Sequence, residues 1–193
     1  MSIPKTPLPA QLILSVLSST WQHFQPRLLG VLLREFGAVD YQSKTLAFTE
    51  TSYYDQELGT PITRQVFGFE SLIPPENLAD LKLTTNALEQ RFLQPDGRRT
   101  FNLDPGLLFQ ERLVLATGKN FSHRIYVGKG IWADLTLLYQ KGKWQSLPWS
   151  FPDYAGSAMQ EILTQLRNRL KAKLKNRKQS DDQKHDRIRG LYS

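Results

Sequence analysis

Three polar stretches hold most of the residues able to do chemistry. Thr51-Ser52-Tyr53-Tyr54-Asp55-Gln56-Glu57 sets two tyrosines beside acids at the expected end of a strand. Arg98-Arg99 and Asn102-Leu103-Asp104-Pro105-Gly106 form a second knot, and Lys119-Asn120-Phe121-Ser122-His123-Arg124-Ile125-Tyr126 a third. An arginine can hold phosphate or carboxylate through two parallel donors, so Lys119, Arg124 and one of the Arg98/Arg99 pair make a candidate anion site. His123 is the natural general acid or base, because an imidazole titrates near neutrality. Asp104 or Asp134 would orient it or hold magnesium. Plain structural readings stand beside these. Arg98-Arg99 flanks an Asp-Gly turn, Asn102 and Asp104 cap a turn before Pro-Gly, and His123 packs on a strand. What favours a site is the concentration of these residues in 98–134, outside the expected helices.

The familiar motifs are missing. Gly118-Lys119-Asn120 and Gly128-Lys129-Gly130 lack both the spacing and the hydroxyl of a phosphate-binding loop. There is no dinucleotide fingerprint, zinc-protease helix or nucleophile elbow. The three histidines, His23, His123 and His185, are far apart, and there is no cysteine. Zinc, haem and iron–sulfur groups are therefore not expected, and no metal-ligand set is assigned. A magnesium site built from carboxylates stays open.

The net charge of +7 belongs to one segment. Residues 167–189 hold ten Lys/Arg against three Asp, which accounts for all of it. Charge arguments about nucleic acid are thus confined to this stretch. Apolar residues at 40% and charged residues at 22% are ordinary for a globular chain. The run Leu12–Leu17 is too short to span a bilayer and lacks a signal peptide's basic flank, so a cytoplasmic protein without a transmembrane segment is expected.

Positioning these residues requires a mixed set of elements. Leu12–Leu17 reads as a buried strand, and Trp21–Phe36 as a helix with Trp21, Phe24, Leu28, Leu32 and Phe36 on one face. Pro26 lies near its start and can kink it. Tyr41–Thr51 and Arg64–Ser71 read as strands, followed by a helix from Glu76 to Phe92. Segments 112–117, 122–127, 131–139 and 144–147 read as strands, the later ones joined by glycine-lysine hairpin turns. Residues 107–111 fit helix or strand equally. Met159, Ile162, Leu163, Leu166, Leu170 and Leu174 stripe a last helix. Two β–α–β halves on one sheet imply an α+β fold: an antiparallel or mixed sheet with helices on one face. We expect a ferredoxin-like sandwich with a β-hairpin extension and a C-terminal helix. Residues 1–176 are expected as one domain, and 177–193 as a basic, disordered tail.

The strings TSYYDQELG (51–59), GRRTFNLDPG (97–106), ATGKNFSHRIYVGKGIWADLTL (116–137) and LPWSFPDY (147–154) resemble a family of bacterial and archaeal proteins called domain of unknown function 4416. The resemblance covers about residues 8–170. It brings no reaction, and implies a stand-alone cytoplasmic domain. It also singles out Tyr53, Tyr54, Glu57, Asn102, Asp104, Lys119, His123, Arg124, Tyr126, Asp134, Trp149, Asp153 and Tyr154. Tyr53, Tyr54, Glu57, Arg99, Asn102, Lys119, Arg124 and Tyr126 are taken as ligand-binding, and His123, Asp104 and Asp134 as catalytic if there is turnover.

Three functions follow. The first is binding, with or without turnover, of a phosphorylated or otherwise anionic small molecule such as a nucleotide. The second is a non-enzymatic RNA-binding module contacting RNA through 167–189. The third is a protein–protein adaptor using the LPWSFPDY loop.

Overall fold

The computed structural model describes residues 1–24 and 27–190, apart from the side chains of residues 23–24 and 181–190. In chain order the elements begin β1 (Ala10–Ser18), α1 (Trp21–Phe24), α2 (Leu28–Phe36), β2 (Val39–Gln42), β3 (Leu46–Ala47) and α3 (Asp55–Leu58). Next come β4 (Thr63–Ile73), α4 (Leu78–Arg91), β5 (Asn102–Leu108), β6 (Arg112–Thr117), β7 (Arg124–Gly128) and β8 (Ile131–Gln140). The chain closes with β9 (Lys143–Ser146), α5 (Pro152–Ala155) and α6 (Ser157–Gly190).

β1 is buried at all nine positions, as its run of apolar residues requires of a central strand. It pairs antiparallel with β4 on one side and β5 on the other. With β2 outside β4, the order β2-β4-β1-β5 is that of a ferredoxin-like sandwich. β6, β8 and β7 extend the same antiparallel sheet, while β3 pairs with β4 and β9 with β8.

Strand alternation divides the core in two. Leu12, Leu14 and Val16 face α2 and α4 together with Phe67, Phe69 and Leu103. Ile13, Val66, Leu113 and Leu137 face the other way, onto Met159, Ile162, Leu163 and Leu166 of α6. The α6 helix therefore covers the face opposite α2 and α4. A Cβ at Gly68 would stand 2.5 Å from Leu166, so the absence of a side chain there admits the helix. Each fully buried aliphatic residue of α6 contributes about 2 kcal/mol, and this apolar face docks the helix. Beyond Leu174, α6 continues through the basic segment to Gly190, where a separate tail is expected from 177.

Three other expectations meet a different local structure. The 21–36 helix is split into α1 and α2, with Pro26 lying outside the described residues. The 41–51 strand is two pieces on β4, of which the second pairs only through Leu46 and Ala47. The largest change is at 102–106. Asn102 and Asp104 do not cap a turn but lie on β5, next to β1. Pro105 is tolerated because its nitrogen points to an edge where no strand pairs, so no ladder bond is lost. Leu103, two residues away and of the same orientation, shows this: its N–H and C=O are bonded from α4 instead.

Candidate ligand-binding site

The site begins where two neighbouring strands part. β5 and β6 pair only through Gly106–Leu108 and Leu113–Leu115, leaving the start of β5 with an open edge. Two charged residues of α4 fill it. Glu89 accepts from the Leu103 amide at 2.5 Å, and the Lys82 ammonium donates to the Leu103 carbonyl at 3.0 Å. Lys82 also pairs with Asp104 at 3.3 Å, and the Asn102 amide donates to Asp104 at 2.6 Å. The turn before β5 then brings in Arg99. Its guanidinium binds Glu57 of α3 through two bonds of 2.5 and 2.6 Å, Glu89 at 2.9 Å and Asn102 at 2.7 Å.

The two glutamates around Arg99 respond oppositely. The hydrogen bond from Arg99 holds the half-exposed Glu57 carboxyl below its ordinary pKa. Burial pushes Glu89 upward, against the pull of Lys82, the Leu103 amide and Arg99. For Arg99 itself burial works against the charge, but the two carboxylates override it and raise its pKa. Lys82 and Glu89 escaped the sequence reading. Their signal is placement: both fall within the apolar stripe of α4 and are buried with it.

Tyr54 precedes α3, and burial pushes its phenol far up. Tyr53 packs edge-on against it at 4.9 Å and accepts a hydrogen bond from Lys119 at 2.9 Å. Lys119 is exposed and connects this half of the site to the next, because its carbonyl accepts from Arg124 at 2.9 Å.

The second half forms at a gap in the sheet. β7 and β9 both pair along the outer edge of β8, reaching Asp134 from one end and Leu137 from the other. Leu135 and Thr136 between them have no strand partner on that edge. The 147–151 loop serves in its place. Trp149 Nε1 donates to the Leu135 carbonyl at 2.8 Å, and Ser150 Oγ donates to that of Thr136. Trp149 is thereby fixed, and the His123 ring lies flat on it, with Phe121 edge-on to His123 at 5.5 Å.

Asp134, 2% exposed, accepts from Arg124 at 2.8 Å, sits 3.2 Å from His123 Nε2 and meets the Thr136 hydroxyl at 3.3 Å. A carboxylate at Nε2 places the neutral ring's proton there and leaves Nδ1 as the basic nitrogen. Strand alternation would have sent His123 and Arg124 to opposite faces. They reach the same carboxylate because His123 precedes β7, in a turn closed by the Arg124 amide on the Phe121 carbonyl at 3.0 Å. Tyr126 is set apart from this cluster, packing on Trp132 at 5.3 Å and accepting from the Gly130 amide at 3.3 Å.

Sequence reasoning gave Arg64 no role. It is 4% exposed, paired with Asp153, and flanked by the Phe48 and Tyr154 rings at 5.0 and 4.9 Å. Burial opposes its charge, but Tyr154 and Asp153 win and raise its pKa. The Tyr154 phenol is fully buried, and burial pushes its pKa up, against the pull of Arg64 and of a hydrogen bond with the buried Ser15 hydroxyl.

The basic helix is partly committed to the fold. Arg167 donates to the Gln110 carbonyl at 2.6 Å and packs over Tyr139 at 3.6 Å. Lys173 pairs with Asp40 at 2.6 Å and donates to the Phe69 carbonyl at 2.7 Å. Among the described residues, no group of three or more His, Cys, Asp or Glu is placed to hold a metal ion. None of the described helices is long and apolar enough to cross a membrane.

Fold and site together define an antiparallel α+β domain of ferredoxin-like order, carrying a buried network of charges at a sheet splay. The chain matches the family described as Domain of unknown function (DUF4416) over residues 8–170 and belongs to it. No curated protein and no solved structure matches it.

Proposed function

We propose that the domain binds a small anionic molecule, of the phosphorylated or nucleotide type, at the surface where 51–57 meets 119–124. One observation carries this reading. Of the five cations in the network, Arg64, Lys82, Arg99 and Arg124 each face a carboxylate at 3.3 Å or less. Lys119 alone among them makes no ion pair: it bonds the Tyr53 hydroxyl and lies over its ring, with the Glu57 carboxylate near enough to feel its charge but already held by Arg99. An exposed ammonium held in place by a phenol is a preorganised anchor for an incoming anion. Tyr53 and Phe121, both largely exposed, offer flat apolar surface beside it. Arg124, Arg99, Glu57, Asn102 and Asp104 position the walls and do not carry free charge.

In this reading His123 is the one group fit to move a proton. Asp134 fixes its tautomer, Trp149 fixes its plane, and Nδ1 receives the proton from a bound hydroxyl or water. A thermal-shift screen against nucleotides, sugar phosphates and carboxylates tests the proposal. A ligand at one hundred times its Kd adds about 2.7 kcal/mol of stability. The gain should vanish in Lys119→Ala and persist in Lys129→Ala, whose exposed ammonium pairs with Asp80 elsewhere. A response untouched by Lys119→Ala would sink the assignment.

A further inference from the structure

A depression of about 310 Å³ is lined by Phe48, Glu50, Arg64, Asp153 and residues 156–159 at the start of α6. Three features of it are chemically unfinished. The Nε–H of Arg64, in a residue only 4% exposed, has no hydrogen-bond partner. The opening turn of the long α6 helix carries no acidic residue, and its first amide bonded within the helix is that of Gln160, to the Gly156 carbonyl. The amides of Ser157, Ala158 and Met159 therefore lack helical acceptors and hold the positive end of the helix dipole. Glu50, on the same rim, is exposed, and no ion pair joins it to any described residue; its carboxylate accepts only the neighbouring Thr49 amide.

We infer that this depression binds a zwitterionic small molecule, an α-amino acid with an apolar side chain. Its carboxylate meets the first amides of α6, beside the Arg64 guanidinium, where helix-terminal N–H groups favour an anion. Its ammonium meets Glu50. Its side chain lies on Phe48, Leu46 and Met159, which supply the apolar wall. A simple anion is disfavoured by Glu50, the carboxylate of this lining that no ion pair compensates, Asp153 being held by Arg64. A simple cation is disfavoured by the helix terminus. Only a ligand bearing both charges a few bonds apart satisfies both sets.

The test uses the full-length protein and three probes of one shape: L-phenylalanine, phenethylamine and hydrocinnamate. Calorimetric titration and thermal shift should show binding of the amino acid and at least tenfold weaker binding of the two singly charged analogues. Glu50→Gln, a change at an exposed position, should weaken the amino acid about tenfold, the effect of losing one charged hydrogen bond. Lys119→Ala should leave it unchanged, which separates this site from the anion site proposed above. Absence of binding at millimolar amino acid, equal binding of hydrocinnamate, or loss of the response in Lys119→Ala would each overturn the inference.

Discussion

The imidazole of His123 lies parallel to the indole of Trp149, with ring centroids 4.9 Å apart and an interplanar angle of 11°. The same indole closes the unpaired edge of β8 through its bond to Leu135, so one residue both completes the sheet and orients the candidate base. Trp149→Phe keeps a ring for the stack but loses that hydrogen bond, and should cost about 1 kcal/mol by urea unfolding. Trp149→Ala removes both and should cost roughly 2–3 kcal/mol, less than a fully buried tryptophan because the residue is partly exposed. An equal loss for the two would show that the stack contributes nothing.

Asp134 answers two basic groups from a buried position. Asp134→Ala leaves Arg124 nearly buried and unpaired, and should destabilise by about 3–5 kcal/mol. Asp134→Asn keeps an acceptor and should cost markedly less. Equal losses in the two variants would mean that the hydrogen bonds to this side chain, as opposed to its charge, contribute nothing.

The glutamates on Arg99 make opposite contributions to acid stability. Glu57 titrates below its ordinary pKa of 4.5 in the folded state, so its stabilisation is complete above that value and is lost as pH falls through the folded pKa. Glu89 titrates above 4.5, so its effect is most favourable below that value and fades as pH rises through the raised pKa. Urea midpoints measured across the acid range should therefore show a shallower acid loss in Glu57→Gln and a steeper one in Glu89→Gln. Identical slopes in both variants would contradict the assignment.

Gly68 marks the closest approach of α6 to the sheet. Gly68→Ala places a methyl 2.5 Å from Leu166 and 3.0 Å from Gln11, and should cost about 1–3 kcal/mol as overpacking. Leu166→Ala alone should also destabilise. In the double variant the two costs should add to less than their sum, because the smaller residue makes room. Strict additivity would mean that the helix shifts as a body.

Lys173 ties α6 to the opposite edge of the sheet through Asp40 and the Phe69 carbonyl. Lys173→Met should raise amide exchange along 170–178 and cost roughly 1–2 kcal/mol. Unchanged exchange there would assign the docking to the apolar stripe alone.

The sequence by itself determined the elements whose periodicity is self-contained. β6 spans 112–117 as read, because a six-residue alternation needs no outside partner to be recognised. The β8–β9 hairpin follows from Lys141-Gly142, both at positive φ, which a two-residue turn demands. The pairing of β–α–β units also pointed to a ferredoxin-like sandwich, but the strand order β2-β4-β1-β5 itself was settled only by the tertiary structure. Tertiary structure decided what depends on neighbours distant in the chain. Asn102 and Asp104 become a strand only because β1 lies alongside to receive them. Lys82 and Glu89 are drawn inward only because β5 and β6 part and leave backbone groups to satisfy. For the candidate site, the three polar stretches were legible, and most of their residues do converge. Which cation stays without an ion pair was not, because it depends on the carboxylate opposite each one. Arg64 shows the same limit: in the sequence it opens an ordinary strand, and only folding sets Phe48, Asp153 and Tyr154 around it.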